Sequence, residues 1–463
     1  MMILRVIRLQ SALSRKYAVR TFATRSVTNL FDRGFVKEVF PPDSRHKIEE
    51  ITTESPQSIY AGFDPTADSL HIGNLLVIIG LLHFQRAGHH PIALVGGATG
   101  IIGDPSGKST ERNALETKEL KHNLSCIKKQ LHKIFDNHRK YLWNEKVQGK
   151  LNAVKYVDNA EWYEKMSFLD FIGSIGRHFR LGDMLNLTSV RSRMESDEGI
   201  SFTEFSYQVC QSYDWWQLFK HHKCRFQLGG ADQLGNISAG YRLIKRLESN
   251  KNAFGITIPI LTTRDGKKLG KSEGNAIWLH PEKTSPFSLY QFFVRTPDDE
   301  VENLLKMLSF FSLEEINEIM IEQNKATHLR LAPKKLAEQL TLLIHGEDGL
   351  KKAQQVTAAL YDGDFAALSS LSQAEMKSIF VGAKVHEILL EPGMTVLDLV
   401  LKAKIYKHDR EAMRYITQGG FYINQNRCKN IAEVISPAVH ILANNFTLLR
   451  TGSRNYFIIS WRK

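Results

Sequence analysis

Two stretches of this 463-residue chain combine side chains that can grip a phosphate with glycines that let a ligand reach the backbone. The first is HIGN, residues 71–74, in which His71 and Asn74 stand three apart with Gly73 between them. On a helix that spacing puts both side chains on one face of the opening turns. A helix N-terminus carries unpaired N–H groups and the positive end of the dipole, so an imidazole and an amide there add donors to an anion site. The second is TTRDGKKLGKSEGN, residues 262–275, with Lys267, Lys268 and Lys271 among Gly266, Gly270 and Gly274. Lysines on so free a loop can close over a polyphosphate whose charge grows during transfer. Taken alone, a helical histidine is usually structural and a glycine–lysine loop is a solvated basic loop. Context favours chemistry for His71, which follows DPTADS in a glycine-rich opening after an apolar run.

A third stretch, GGATGIIGDPSGKST at 96–110, imitates a phosphate-binding P-loop. That motif needs a glycine five residues before Gly107, so that successive N–H groups wrap a phosphate. Position 102 is Ile102, and starting from Gly103 the loop is one residue short. The P-loop reading fails. A fourth group, Tyr207, Gln211 and Asp214, falls at i, i+4 and i+7 and lines one helical face. A buried amphipathic stripe would show the same spacing, but Gln and Asp are poor core residues without partners.

The elements that must hold these residues follow from the apolar pattern. Between 58 and 280 the runs SIYAGF, PIALVGG, AVKYV, RFQLGG and ITIPIL alternate with helical stretches. That alternation predicts an α/β fold, a parallel sheet with helices on its faces. Ser69 is the expected N-cap of the helix that carries His71. Residues 281–385 read as helical throughout, with Ser312 and Glu315 at capping-box spacing. Residues 391–463 read as a small α+β module: a helix from about Asp409 ends at Gly419-Gly420, and FYINQNR follows as a hairpin.

Charge separates these regions. Of the formal net charge of +12, residues 1–31 supply +6 and residues 391–463 another +6, which leaves 32–390 near zero. The tail suits a polyanion, although a solvated basic face is as common in a segment of this size. Residues 1–31 hold Arg5, Arg8, Arg15, Lys16, Arg20 and Arg25 without one Asp or Glu, and read as a mitochondrial transit peptide rather than a nucleic-acid-binding arm. Four scattered cysteines with no CxxC pair argue against a zinc site or disulfide framework and fit a reducing compartment. No stretch approaches a membrane span.

HIGN and KLGKS (268–272) resemble the HIGH and KMSKS signatures of class I aminoacyl-tRNA synthetases, with Asn74 where the signature usually has His. YAGFDPTADSLHIG, GGATGIIGDPSGK, FSYQVCQSYD and FQLGGADQLGNI narrow the resemblance to tyrosyl-tRNA synthetases, from about residue 35 to the C-terminus. It implies a Rossmann-like parallel-sheet catalytic domain at 32–280, in which about 105–200 forms a homodimer interface. An α-helical anticodon-binding domain at 281–388 and an S4-like tRNA-binding domain at 389–463 would follow. It also implies roles. Tyr60 and Asp214 would bind the substrate phenol, and Asp104, Tyr207 and Gln211, with Thr99, its ammonium group. Gly62, Asp64, Gly230, Asp232 and Gln233 would border the adenylate. His71, Asn74, Lys268 and Lys271 would stabilise the phosphates of ATP, with Thr66, Lys108 and Arg112 toward pyrophosphate. Lys404, Lys407, Arg410 and Arg414 would meet tRNA(Tyr). The expected substrates are L-tyrosine and ATP accompanied by Mg2+, with no protein-bound metal, no membrane and a mitochondrial matrix location. A tryptophanyl-tRNA synthetase shares the signatures, but Tyr60 and Asp214 suit a phenol; an organellar RNA-folding or splicing factor is the reading from a different class.

Overall fold

The computed structural model describes residues 25–107, 110, 115–249, 251–262, 269, 271–272, 275–358, 384–406, 408–424, 426–452 and 455–462. The chain forms two compact units, Met1–Lys283 with Phe293–Gly346, and Thr284–Phe292 with Glu347–Lys463.

The first unit is built on a six-stranded sheet: β1 (Glu38–Phe40), β2 (Ser58–Phe63), β3 (His90–Val95), β4 (Lys155–Asp158), β5 (Cys224–Gly230) and β6 (Phe254–Ile258). The strand order is β1-β6-β5-β2-β3-β4, and all neighbours are parallel except β1 and β6. Each apolar run read from the sequence supplies one of the five parallel strands. β3 and β6 are almost wholly buried, as strands covered on both faces must be. The short antiparallel β1 carries no such run and was not foreseen. Strand order reverses between β2 and β5. In an open α/β sheet a ligand crevice lies at that reversal, beyond the carboxyl ends of the strands.

Four helices frame the crevice: α1 (Ile72–Arg86), α2 (Thr117–Tyr141), α3 (Phe202–His222) and α4 (Leu234–Leu247). α3 starts where the Ser201 hydroxyl accepts from the Glu204 N–H and stops at Lys223, whose φ is +52°. Beyond the sheet, α5 (Val301–Leu308) and α6 (Leu313–Lys325) join the same unit. Ser312 and Glu315 form the expected capping box. Arg33, 4% exposed, holds α5 in place by donating to the carbonyls of Leu305, Lys306, Ser309 and Phe311. Val27 and Leu30 are buried nearby and Thr28–Asp32 is helical. The segment 1–31 read as a leader therefore overlaps the fold from about residue 25.

A two-stranded ladder of β7 (Lys271–Ser272) and β8 (Asn275–Ala276) completes the described strands of the first unit. The second unit contains a five-stranded sheet of β9 (Lys384–Leu389), β10 (Phe421–Ile423), β11 (Asn426–Cys428), β12 (Phe446–Thr451) and β13 (Asn455–Arg462). Its order is β11-β10-β12-β13-β9, and β9 runs parallel to β13. Helices α7 (Val396–Lys402) and α8 (Asp409–Thr417) pack on it. Gly419 at φ +75° and the β10–β11 hairpin stand where the sequence put them. β9 begins at Lys384, ahead of the boundary drawn at 389.

Candidate active site

Every expected pocket residue with a described side chain lines one cleft at the strand reversal. Tyr60, Gly62, Asp64 and Thr66 come from the end of β2 and the turn after it, and His71 and Asn74 from the start of α1. Thr99 and Asp104 lie on the glycine-rich loop after β3. Tyr207, Gln211 and Asp214 project from α3, and Gly230, Asp232 and Gln233 follow β5. Lys108, Arg112 and Lys268 lie outside the described residues. Lys271 opens a two-residue strand paired with Asn275–Ala276.

At the deep end, Tyr60 is 1% exposed and its hydroxyl has no hydrogen-bond partner among the described residues. Burial, with the nearby Asp214 carboxylate, holds its pKa well above the usual phenol value. Asp214 is 2% exposed, and burial pushes its carboxyl up to about 7. Asn159 Nδ2 donates to its Oδ2 (3.0 Å) and Trp162 Nε1 to its Oδ1 (2.9 Å), which resists that rise.

From Asp214 a chain of hydrogen bonds runs outward. Asn159 Nδ2 also donates to Thr99 Oγ1 (2.9 Å), whose hydroxyl donates to Asp64 Oδ1 (2.7 Å). Tyr207 Oη donates to Asp64 Oδ2 (2.8 Å). Asp64 is thus fixed between two residues expected at the amino-acid end. The glycines of the loop answer to this packing. A Cβ on Gly96 would stand 2.0 Å from Asp64 Oδ1, and one on Gly97 2.2 Å from Asp158 Oδ1. Gly103 and Gly107 take positive φ. A second hub is Asn236, whose Nδ2 lies 3.0 Å from Gln211 Oε1 and 3.4 Å from Asp104 Oδ1, while Gln233 Nε2 donates to Asp104 Oδ2 (2.6 Å).

At the outer end the cap differs from expectation. His71 rather than Ser69 is the N-cap of α1: its Nδ1 accepts from the Gly73 N–H (3.0 Å), and Asn74 Oδ1 accepts from the His71 N–H (3.0 Å). Ser69 lies too early because its hydroxyl is already committed to Leu70 O and the His280 N–H. With Nδ1 accepting, the ring proton resides on Nε2. Ile72 N and Leu279 N bond Ile277 O and Leu70 O, so the segment after KLGKS is laced to HIGN.

In the second unit Lys404, Arg410 and Arg414 are exposed, the last two on α8; Lys407 lies outside the described residues. Among the described residues no group of three or more His, Cys, Asp or Glu could hold a metal ion, and no helix is long and apolar enough to cross a membrane.

Sequence reasoning missed Asn159, Trp162 and Asn236. The signal was present for the first two: NAEW follows the run AVKYV, so it stands at the carboxyl end of a parallel strand. Asn236 offered only an amide within a helix.

Residues 52–362 match the family described as tRNA synthetases class I (W and Y), and residues 375–459 match the tyrosine–tRNA ligase SYY-like C-terminal domain. The mitochondrial tyrosine–tRNA ligase of Drosophila melanogaster is 50% identical over 448 residues, 96% of this chain and 97% of that one. The Homo sapiens protein of the same name is 46% identical over 435 residues, 93% and 90% of the two chains. A C-terminally truncated mitochondrial tyrosyl-tRNA synthetase from Aspergillus nidulans aligns with a TM-score of 0.66 at 35% identity, covering 72% of this chain and 93% of that one. The chain belongs to the class I tRNA synthetases of the W and Y family.

Proposed function

We infer that within this family the chain is a mitochondrial tyrosine–tRNA ligase. It joins L-tyrosine to ATP, giving tyrosyl-adenylate and pyrophosphate, and then passes the tyrosyl group to the 3′-terminal ribose of tRNA(Tyr). The observation that carries the choice of amino acid is the Tyr60 hydroxyl, buried beside Asp214 without a partner among the described residues. A substrate phenol would pair with both groups; a phenylalanine ring would leave the Tyr60 hydroxyl unpaired and take one donor from Asp214, and tyrosyl enzymes are the standard example of that asymmetry. ATP–pyrophosphate exchange with each amino acid tests this: tyrosine alone should support it, and equal exchange with tryptophan would refute it.

Tyr60 and Asp214 take the phenol. Asp104, Tyr207 and Gln211, with Thr99, face the ammonium group, and the hydrogen bonds among Asp64, Thr99 and Tyr207 support their fixed orientation. The substrate carboxylate oxygen attacks the α-phosphorus as the bond to the pyrophosphate oxygen breaks. No protein nucleophile intervenes, so the barrier falls by positioning and by donors aimed at the developing charge. Gly62, Asp64, Gly230, Asp232 and Gln233 border the adenylate. His71 Nε2 and Asn74 Nδ2 donate to phosphate oxygens, together with Lys268 and Lys271, while Thr66, Lys108 and Arg112 face the pyrophosphate. ATP enters with its Mg2+.

The α-helical region around 281–388 would bind the anticodon arm. Lys404, Lys407, Arg410 and Arg414 meet tRNA. The chain works as a homodimer through about 105–200, where the exposed Phe168, Leu169, Ile172 and Leu181 support a covered surface. Residues ahead of Arg25 are removed on import into the matrix. Burial of Val27 and Leu30 argues that cleavage falls no later, and N-terminal sequencing of organellar protein should find a start at or before Arg25.

A further inference from the structure

In the second unit Tyr422 stands opposite Arg427 on β11 and opposite Arg450 on β12, and Arg450 stands opposite Tyr456 on β13. Directly opposed residues of antiparallel strands share a face. One row across four strands therefore reads Arg, Tyr, Arg, Tyr. Phe421, Ile423, Cys428 and Leu449, each one position away, build the core on the other face. The Arg450 guanidinium lies 3.8 Å from the centroid of the Tyr422 ring and donates to Gly452 O (2.9 Å). Arg427 is exposed and donates to Gly419 O (2.6 Å), and a Cβ on Gly419 would stand 2.8 Å from the Arg427 guanidinium carbon. Neither arginine meets a carboxylate among the described residues. Arg462 and Lys402 of the same sheet unit are paired, with Glu387 and Glu391.

We propose that the row Arg427–Tyr422–Arg450 is a contact surface for the tRNA strand, separate from the helical residues Lys404, Arg410 and Arg414. Each guanidinium is held by one carbonyl, and Arg450 also by a ring, which leaves further N–H donors in fixed positions for phosphate oxygens. The two arginines stand on either side of the tyrosine, with their strands roughly 10 Å, or two strand spacings, apart. Aromatic faces beside cations are the usual means of taking an unpaired base together with its backbone. Charge complementarity favours RNA over a protein partner, because residues 391–463 carry a net +6 while 32–390 are near neutral. The proposal rests on the reading of the chain as a tRNA ligase.

The test uses full-length protein and tRNA(Tyr), with binding measured across a salt series beside charging, exchange and melting temperature. For Arg427→Ala with Arg450→Ala, affinity should fall at least about tenfold. The slope of log affinity against log salt should fall by roughly 1.4–1.8, since each of the two phosphate contacts contributes about 0.7–0.9. Exchange should stay within about twofold. Tyr422→Ala should lose affinity at least about fivefold with the slope intact, because stacking carries no counterions. Parental affinity and slope in the double variant overturn the proposal, and so does weaker binding that arrives with a lowered melting temperature and an unchanged slope. An unmodified protein that cannot charge tRNA sinks the ligase reading instead, and shows itself before any variant is made.

Discussion

The cleft and the C-terminal sheet handle charge in opposite ways. At the amino-acid end of the cleft the described charged groups are carboxylates, set among neutral donors: Asp214 under Asn159 and Trp162, Asp64 under Thr99 and Tyr207, Asp104 under Gln233. In the sheet they are guanidiniums resting on carbonyls and a ring. The first arrangement fixes each oxygen before a small ligand arrives and discriminates by leaving a partner unpaired. The second keeps its charge unneutralised and suits a long polyanion whose counterions are released on binding. On the proposed reading, identity is read in one region and grip is supplied in the other.

The sharpest way to break that division is Asp214→Ala. It removes one hydroxyl partner, and a hydrogen bond to a charged group is worth about 1.5–3 kcal/mol. Selectivity for tyrosine over phenylalanine should fall by roughly one to two orders of magnitude, while the KM for ATP in exchange barely moves. Selectivity within a fewfold of the parent would show that the cleft does not read the phenol there.

Next comes removal of residues 384–463. The cut must precede Lys384, because a cut at 388 would split β9. Charging should fall at least about tenfold, about 1.4 kcal/mol of lost transition-state binding, while exchange stays near parental. Joint loss of exchange, charging and thermal stability on one preparation would mean that the tail is structural.

A smaller effect separates charge from fold within the cleft. Burial raises Asp214 from 3.8 to about 7, so between those values the folded protein holds a proton that the unfolded chain has released. Its stabilising contribution is full below about pH 4 and declines as pH rises toward 7, by up to about 1.4 kcal/mol per unit. Between pH 5 and 7 the parent should lose stability relative to Asp214→Asn, and parallel unfolding profiles would contradict the buried assignment. The least effect is expected from Asn74→His. An imidazole there can still accept from the His71 N–H and donate to a phosphate, so exchange should remain within about threefold, roughly 0.6 kcal/mol.

The sheet was legible because strands buried on both faces leave apolar runs that no surface element imitates. The cleft was legible through His71, Tyr207, Gln211 and Asp214, whose polarity conflicts with their surroundings. Asn159 and Asn236 were not, since a buried amide acts through partners remote in sequence. The displaced cap has a local cause: serine outranks histidine as an N-cap by intrinsic preference, and only tertiary bonds at Ser69 reverse the order. The leader was overextended because RSVTNLF is as free of acids as the arginine-rich residues before it, and composition does not register that Val27 and Leu30 are buried.

The placing of β13 also sets a timetable. The last strand of the chain is an interior strand, hydrogen-bonded to β12 on one side and to β9, some seventy residues earlier, on the other. β9 therefore has no neighbour in the sheet until residues 455–462 have left the ribosome, and closure of so long a loop is slow compared with local helix formation. Among the described residues, the cleft proposed to form the adenylate is lined by residues synthesised by about position 280 and has no such wait. If the two regions act as proposed, a nascent chain acquires the means to activate an amino acid before it can hold the RNA that receives it, and a product ending a dozen residues short would remain at that stage.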